Sequence, residues 1–112
     1  MQVTNLDKAI NFYKKLGFIH KMSLPQIPAE LFSIGVEEPG IILIKASEPK
    51  PSKFWIEVAN ATQAQQECAN LGIPGKLIEH GTGLTYEITD FDDNIIGFTD
   101  YSKKPELARR IQ

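Results

Sequence analysis

The strongest constraint on this chain is an internal repeat. Sliding the sequence by 55 positions places Val3 on Val58, Asn5 on Asn60, Ala9 on Ala64, Leu16 on Leu71 and Gly17 on Gly72 (58−3, 60−5, 64−9, 71−16 and 72−17 are each 55). The matches fall where a helix needs particular residues. Asn5 and Asn60 stand where a side-chain oxygen accepts an orphan N–H of a first turn. Leu6, Ala9, Tyr13 and Leu16 make one apolar face at the 3.6-residue period, and Ala61, Ala64, Cys68 and Leu71 repeat its spacing. Gly17 and Gly72 stand where a left-handed residue ends a helix. Such helices rise roughly 15–18 Å, enough to cross three or four strands.

The segments after the two helices are also alike. "FIHKMSL", "ELFSIGV" and "GIILIKA" come after Gly17, and "GKLIEHG", "LTYEITD" and "NIIGFTD" after Gly72. Each has strand composition and is bounded by turn residues. "FWIEVA" precedes the second helix, whereas only "MQV" precedes the first. The repeated unit is therefore strand, helix, three strands. The expected organisation is a single domain of two modules, 1–46 and 53–101, with a proline-bearing linker at 47–52 and a tail at 102–112. Two copies cannot build a solenoid, so paired modules are expected.

A chain of 112 residues suits one domain and can bury a core without staples. The formal charge of −2 provides no basic field for a phosphate backbone, which argues against nucleic acid as a partner. Cys68 is the only cysteine, so no internal disulfide can form. The longest aliphatic run, Ile41 to Ile44, falls far short of the ~20 residues of a membrane span. The opening "MQVTNLDKAI" lacks the apolar centre of a signal peptide. A cytoplasmic protein with no membrane partner is expected.

The doubled βαβββ pattern, the "V.N[LA]..A...Y..LGF"-like helices and the late "DFDDN" turn together resemble the vicinal oxygen chelate superfamily, over Val3 to about Tyr101. That group includes glyoxalase I, extradiol dioxygenases, fosfomycin-resistance enzymes and bleomycin-resistance binding proteins. The resemblance implies an α+β fold in which two βαβββ modules form an open, curled mixed sheet around a cavity with helices outside. It also implies a homodimer. The very short first strand departs from the pattern: either the chain starts late, or a partner covers that edge.

The resemblance further implies metal ligands, His or Gln on the first strand of each module and Glu on the last. In this sequence the first-strand positions are Gln2 and Lys53. An ammonium has no lone pair to give at neutral pH. The late glutamate position is Gly97, and "GIILIKA" has no carboxylate. Divalent ions need several donors converging, so no metal and no cofactor are expected. His20 and His80, 60 residues apart, carry no ligand spacing. Read as an EF-hand loop, Asp90 to Asn94 fails, with Ile95 at the glycine position and Tyr101 at the final glutamate. A tight turn in which Asp and Asn bond their own backbone is expected. Cys68 and Tyr13, on the apolar helix faces, read as core residues.

Strand alternation then defines a candidate binding face. Phe54, Ile56 and Val58 should face the helices, which turns Lys53, Trp55 and Glu57 the other way. Leu84, Tyr86 and Ile88 should do likewise, turning out Thr85, Glu87 and Thr89. An aromatic floor with two carboxylates suits an aromatic or cationic organic molecule, and Lys53 is placed to neutralise one glutamate. The expected ligand-binding residues are Trp55, Glu57, Glu87, Lys53 and Thr85, and no catalytic residue emerges. Trp55 as cavity filler or dimer contact is the competing reading. The expected function is metal-free small-molecule binding of the glyoxalase/bleomycin-resistance type. The alternatives are a divergent metal-dependent lyase or dioxygenase, or a structural partner with a filled cavity.

Overall fold

The computed structural model describes residues 1–24, 28–33 and 40–108. Within them the elements run β1 (Gln2–Val3), α1 (Leu6–Lys15), β2 (Ile19–Leu24), β3 (Ala29–Ser33), β4 (Gly40–Lys45), β5 (Lys53–Glu57), α2 (Ala61–Asn70), β6 (Gly75–His80), β7 (Gly83–Thr89) and β8 (Ile95–Thr99), with a 3-10 turn at Pro105–Leu107. Residues 34–36 of the expected "ELFSIGV" strand and 109–112 of the tail lie outside the described residues.

The two helices start and stop 55 residues apart, and their ends show why. The Asn5 and Asn60 side chains accept from the N–H groups of Lys8 and Gln63, each at 3.1 Å. Such caps are worth about 1 kcal/mol each. Gly17 and Gly72 have φ of 97° and 74°. There the chain turns so that Phe18 N–H donates to Tyr13 C=O at 3.0 Å and Ile73 N–H to Cys68 C=O at 2.9 Å. This is the Schellman closure, completed in α1 by its usual apolar contact, the Tyr13 and Phe18 rings 5.4 Å apart.

The chain forms two compact units, residues 1–52 with 90–94, and residues 53–89 with 95–112. Each contains an open four-stranded mixed sheet, in order β1-β4-β3-β2 and β5-β8-β7-β6. The first strand of each is parallel to the last, while the other neighbours are antiparallel. Each module is thus a βαβββ unit with its helix on one face of its sheet, an α+β fold in which neither sheet closes.

In the first unit α1 buries Ala9 and Tyr13 over Phe32 and Leu43. The turn 90–94 belongs to this unit. Asp90 accepts from Tyr13 Oη at 2.8 Å, from Asp92 N–H at 2.8 Å, and from the backbone and side-chain N–H of Asn94 at 2.9 and 2.8 Å. Asp92 accepts from the Thr4 backbone and hydroxyl. The self-bonded turn expected from "DFDDN" is therefore present. Asp93 takes φ of 63°, the left-handed region that glycine enters without cost.

In the second unit α2 buries Ala61, Ala64 and Cys68 over Tyr86, Ile88 and Ile96. Burial, with Glu67 next in effect, pushes the Cys68 thiol up and away from thiolate character. Buried Asp100 accepts from Ala61 N–H at 2.8 Å, Leu84 N–H at 2.9 Å, and the Ser102 N–H and hydroxyl at 3.1 and 2.7 Å. It ties the start of α2 to the end of β8.

Candidate functional site

The face of the second sheet turned away from α2 gathers the chemistry. Its makeup follows from register. Parallel pairing aligns Lys53, Trp55 and Glu57 of β5 with Ile95, Gly97 and Thr99 of β8. Antiparallel pairing adds Thr85, Glu87 and Thr89 of β7, then Lys76, Ile78 and His80 of β6. Aligned residues share a face, and Ile88 and Ile96, one position out of phase, are buried on the helix side at 1% and 0% exposure. The expected parity is what the strands show.

Trp55 starts on one edge strand and reaches across the sheet. A Cβ at Gly97 would fall on Cδ1 of the indole, 2.8 Å from its Nε1 and 3.0 Å from Thr85 Cγ2. The indole therefore occupies the space that a side chain at 97 would need. Beyond it the ring stacks on His80, from the opposite edge strand, with centroids 5.7 Å apart and planes 19° apart. Beneath these rings Thr85 is only 1% exposed. Trp55 itself remains 52% exposed, so the indole is seated from below and open above.

Hydrogen bonds hold His80 in place. The Thr85 hydroxyl donates to Thr99 Oγ1 at 2.8 Å, so its oxygen accepts from His80 Nε2–H at 2.7 Å. Nδ1 is left to accept from the Thr82 hydroxyl at 3.0 Å, an arrangement that suits the Nε2–H tautomer. At the other end of the indole, Lys53 Nζ lies 5.7 Å from the ring centroid and 3.0 Å from Glu87 Oε2. The ammonium is thus both a cation–π neighbour and an ion-pair partner.

Of the expected binding residues, Trp55, Lys53, Thr85 and Glu87 meet at this face. Glu57 shares it at the far end of β5, level with Thr99. Sequence reasoning missed His80, Thr99 and the role of Gly97. Alternation along "GKLIEHG" could have placed His80 beside Thr85; the seat at Gly97 depends on β5–β8 register, for which the sequence carries no local signal. His20 lies on edge strand β2 of the first unit, stacked on Phe32 at 4.8 Å, with Nε2 3.7 Å from Oε2 of buried Glu30. A hollow of about 490 Å³ also lies in the first unit, lined by Thr4, Asn5, Lys8, Ala9, Asp90, Phe91 and Asp92.

The positions that the superfamily resemblance assigns to a metal do not fit one. Lys53 presents a cation paired to Glu87. Gly97 has no side chain and lies under the indole. β4 carries Ile42 and Ile44 on its open face, and Gln2 Oε1 accepts from Lys50 N–H at 2.8 Å. Among the described residues no three His, Cys, Asp or Glu side chains cluster as a metal site.

No family profile and no curated protein matches the chain. Solved structures do. Lactoylglutathione lyase from Agrobacterium tumefaciens superposes with a TM-score of 0.74 at 17% identity, over 89% of this chain and 88% of that one. The fosfomycin resistance protein FosX from Listeria monocytogenes gives 0.75 at 15%, over 97% and 93%. TioX from Micromonospora sp. ML1 gives 0.72 at 16%, over 90% and 94%. Identities this low speak for fold alone, and the fold is the glyoxalase-like α+β architecture that these structures share.

Proposed function

We propose that this chain is a small-molecule-binding protein that holds a planar aromatic ligand on the indole of Trp55. One observation carries the reading: the ring is fixed from below by Gly97 and Thr85 and flanked by His80 and Lys53, yet half of its surface is open. A rigid aromatic platform gives contact area at small entropic cost. Binding here needs no metal, and Lys53 and Gly97, two positions that the superfamily resemblance assigns to metal ligands, offer no donor to one. The reading therefore groups the chain with sequestering proteins of the bleomycin-resistance kind. The alternative of a metal-dependent lyase or dioxygenase draws on neighbours such as FosX, a variant of which was solved with Mn(II).

Because Trp55 is the only tryptophan, its indole N–H gives one NMR resonance. Titration with planar probes such as 2-naphthalenemethanol should shift that resonance saturably. A saturated ring of equal size, decalinmethanol, should do so far more weakly. Trp55→Ala should abolish naphthyl binding measured by calorimetry. If no planar probe moves the indole resonance, the platform is not a binding surface. Stoichiometric Mn, Zn, Ni or Fe in protein purified from metal-supplemented medium would favour the enzyme reading instead.

A further inference from the structure

Resting on that binding reading, we infer that the site selects planar aromatic acids over aromatic cations, with Lys53 as the group that chooses. Two carboxylates beside an indole look made for a cation in the sequence. The structure arranges them otherwise. Glu87 is already paired with Lys53 at 3.0 Å, and its side chain is only 11% exposed. The cation–π position over the indole is taken by that same ammonium. An incoming cation on the open part of the indole would meet the Lys53 ammonium at short range and be repelled by it.

An aromatic carboxylate meets the opposite situation. The Lys53 side chain is 51% exposed, and an ammonium has three donors, so it can keep Glu87 and accept a second carboxylate. Half-exposed ion pairs of this kind are weak and give way easily. A ring resting on Trp55 would place its acid group toward the Lys53 end, 5.7 Å from the indole centroid. The other charged groups on this face are Lys76, cross-strand from Glu87, and Glu57 at the far end of β5.

Three probes with one ring system test this: 2-naphthoate, 2-naphthylmethylammonium and neutral 2-naphthalenemethanol. Calorimetry should show 2-naphthoate binding about tenfold more tightly than the ammonium compound at low salt, with the gap closing as salt rises. Lys53→Gln should erase the preference, whereas Lys76→Gln should keep it. Glu87→Gln, which frees the ammonium, should tighten 2-naphthoate; a merely structural ion pair would give the reverse. Equal affinities, or tighter binding of the ammonium compound, would overturn the charge selection while leaving the platform intact. Failure of all three to shift the Trp55 indole resonance would overturn the platform itself.

Discussion

Ile42 and Gly97 are the same position in the two modules (97−42 = 55), yet they build opposite surfaces. In the first sheet Ile42 stands 42% exposed on the face away from the helix, in the company of Met22 and Ile44. In the second sheet the equivalent residue has no side chain, and the vacated space holds an indole that links the two edge strands through His80. The frame is nevertheless repeated closely: ten-residue helices, Asn caps with equal 3.1 Å bonds, and the same glycine closure. Repetition kept what each helix and sheet requires to form. The faces the helices leave uncovered differ, and aromatic and charged side chains gather on one of them.

The comparison can be broken first at the helices. Tyr13 and Cys68 are twin positions (68−13 = 55), but Tyr13 also anchors the 90–94 turn through Asp90. Tyr13→Ala should cost about 3–5 kcal/mol in urea unfolding, and Cys68→Ala about 1 kcal/mol. Similar losses at both positions would show that the anchoring bond adds nothing to the shared frame. Next comes the open face itself. Gly97→Ala must evict the indole, with a cost of about 1–3 kcal/mol and a red shift of the single tryptophan's emission. Its twin, Ile42→Ala, trims a side chain that is already 42% exposed and displaces nothing, so it should cost less, about 1 kcal/mol. An unchanged emission spectrum in Gly97→Ala would refute the seat described for Trp55.

Acid sharpens the comparison from the second unit alone. Burial would raise the Asp100 carboxyl, but hydrogen bonds from Ala61, Leu84 and Ser102 outweigh it and hold the group down to about 2. The folded value lies below the unfolded one. The stability this group contributes is therefore present in full above about pH 4 and is lost as pH falls through about 2. Asp100→Asn should flatten the decline of urea midpoint across that window; parallel curves for variant and wild type would contradict it. The smallest effect is expected at Asp93, whose φ of 63° has a cost that glycine avoids. Asp93→Gly should change stability by less than about 1 kcal/mol, with stabilisation the expected sign; a loss would mean that the Asp93 side chain contributes to the turn.

Much of this protein follows from local rules read along the chain. Asn5, Gly17 and their twins are set by what a helix end demands of its nearest neighbours, so both helices were readable to within a residue. Alternation sorted Trp55 from Ile56 and Thr85 from Tyr86, because one face of each strand must be buried. Those rules also named most of the residues on the sheet face proposed to bind: Trp55, Lys53, Thr85, Glu57 and Glu87. They did not pair them. Whether Glu87 would meet Lys53, whether His80 would reach Trp55, and whether the glycine at 97 was a gap or a seat all depend on which strands lie side by side and in what register. The β5–β8 pairing on which all three depend joins residues more than forty positions apart, as Trp55 and Gly97 are. The sequence by itself therefore determined the repeated frame and the sidedness of its strands. Only the tertiary structure decided which of the two carboxylates takes the lysine that alternation had already placed on their face: Glu87 pairs with Lys53, across the strand that lies between them.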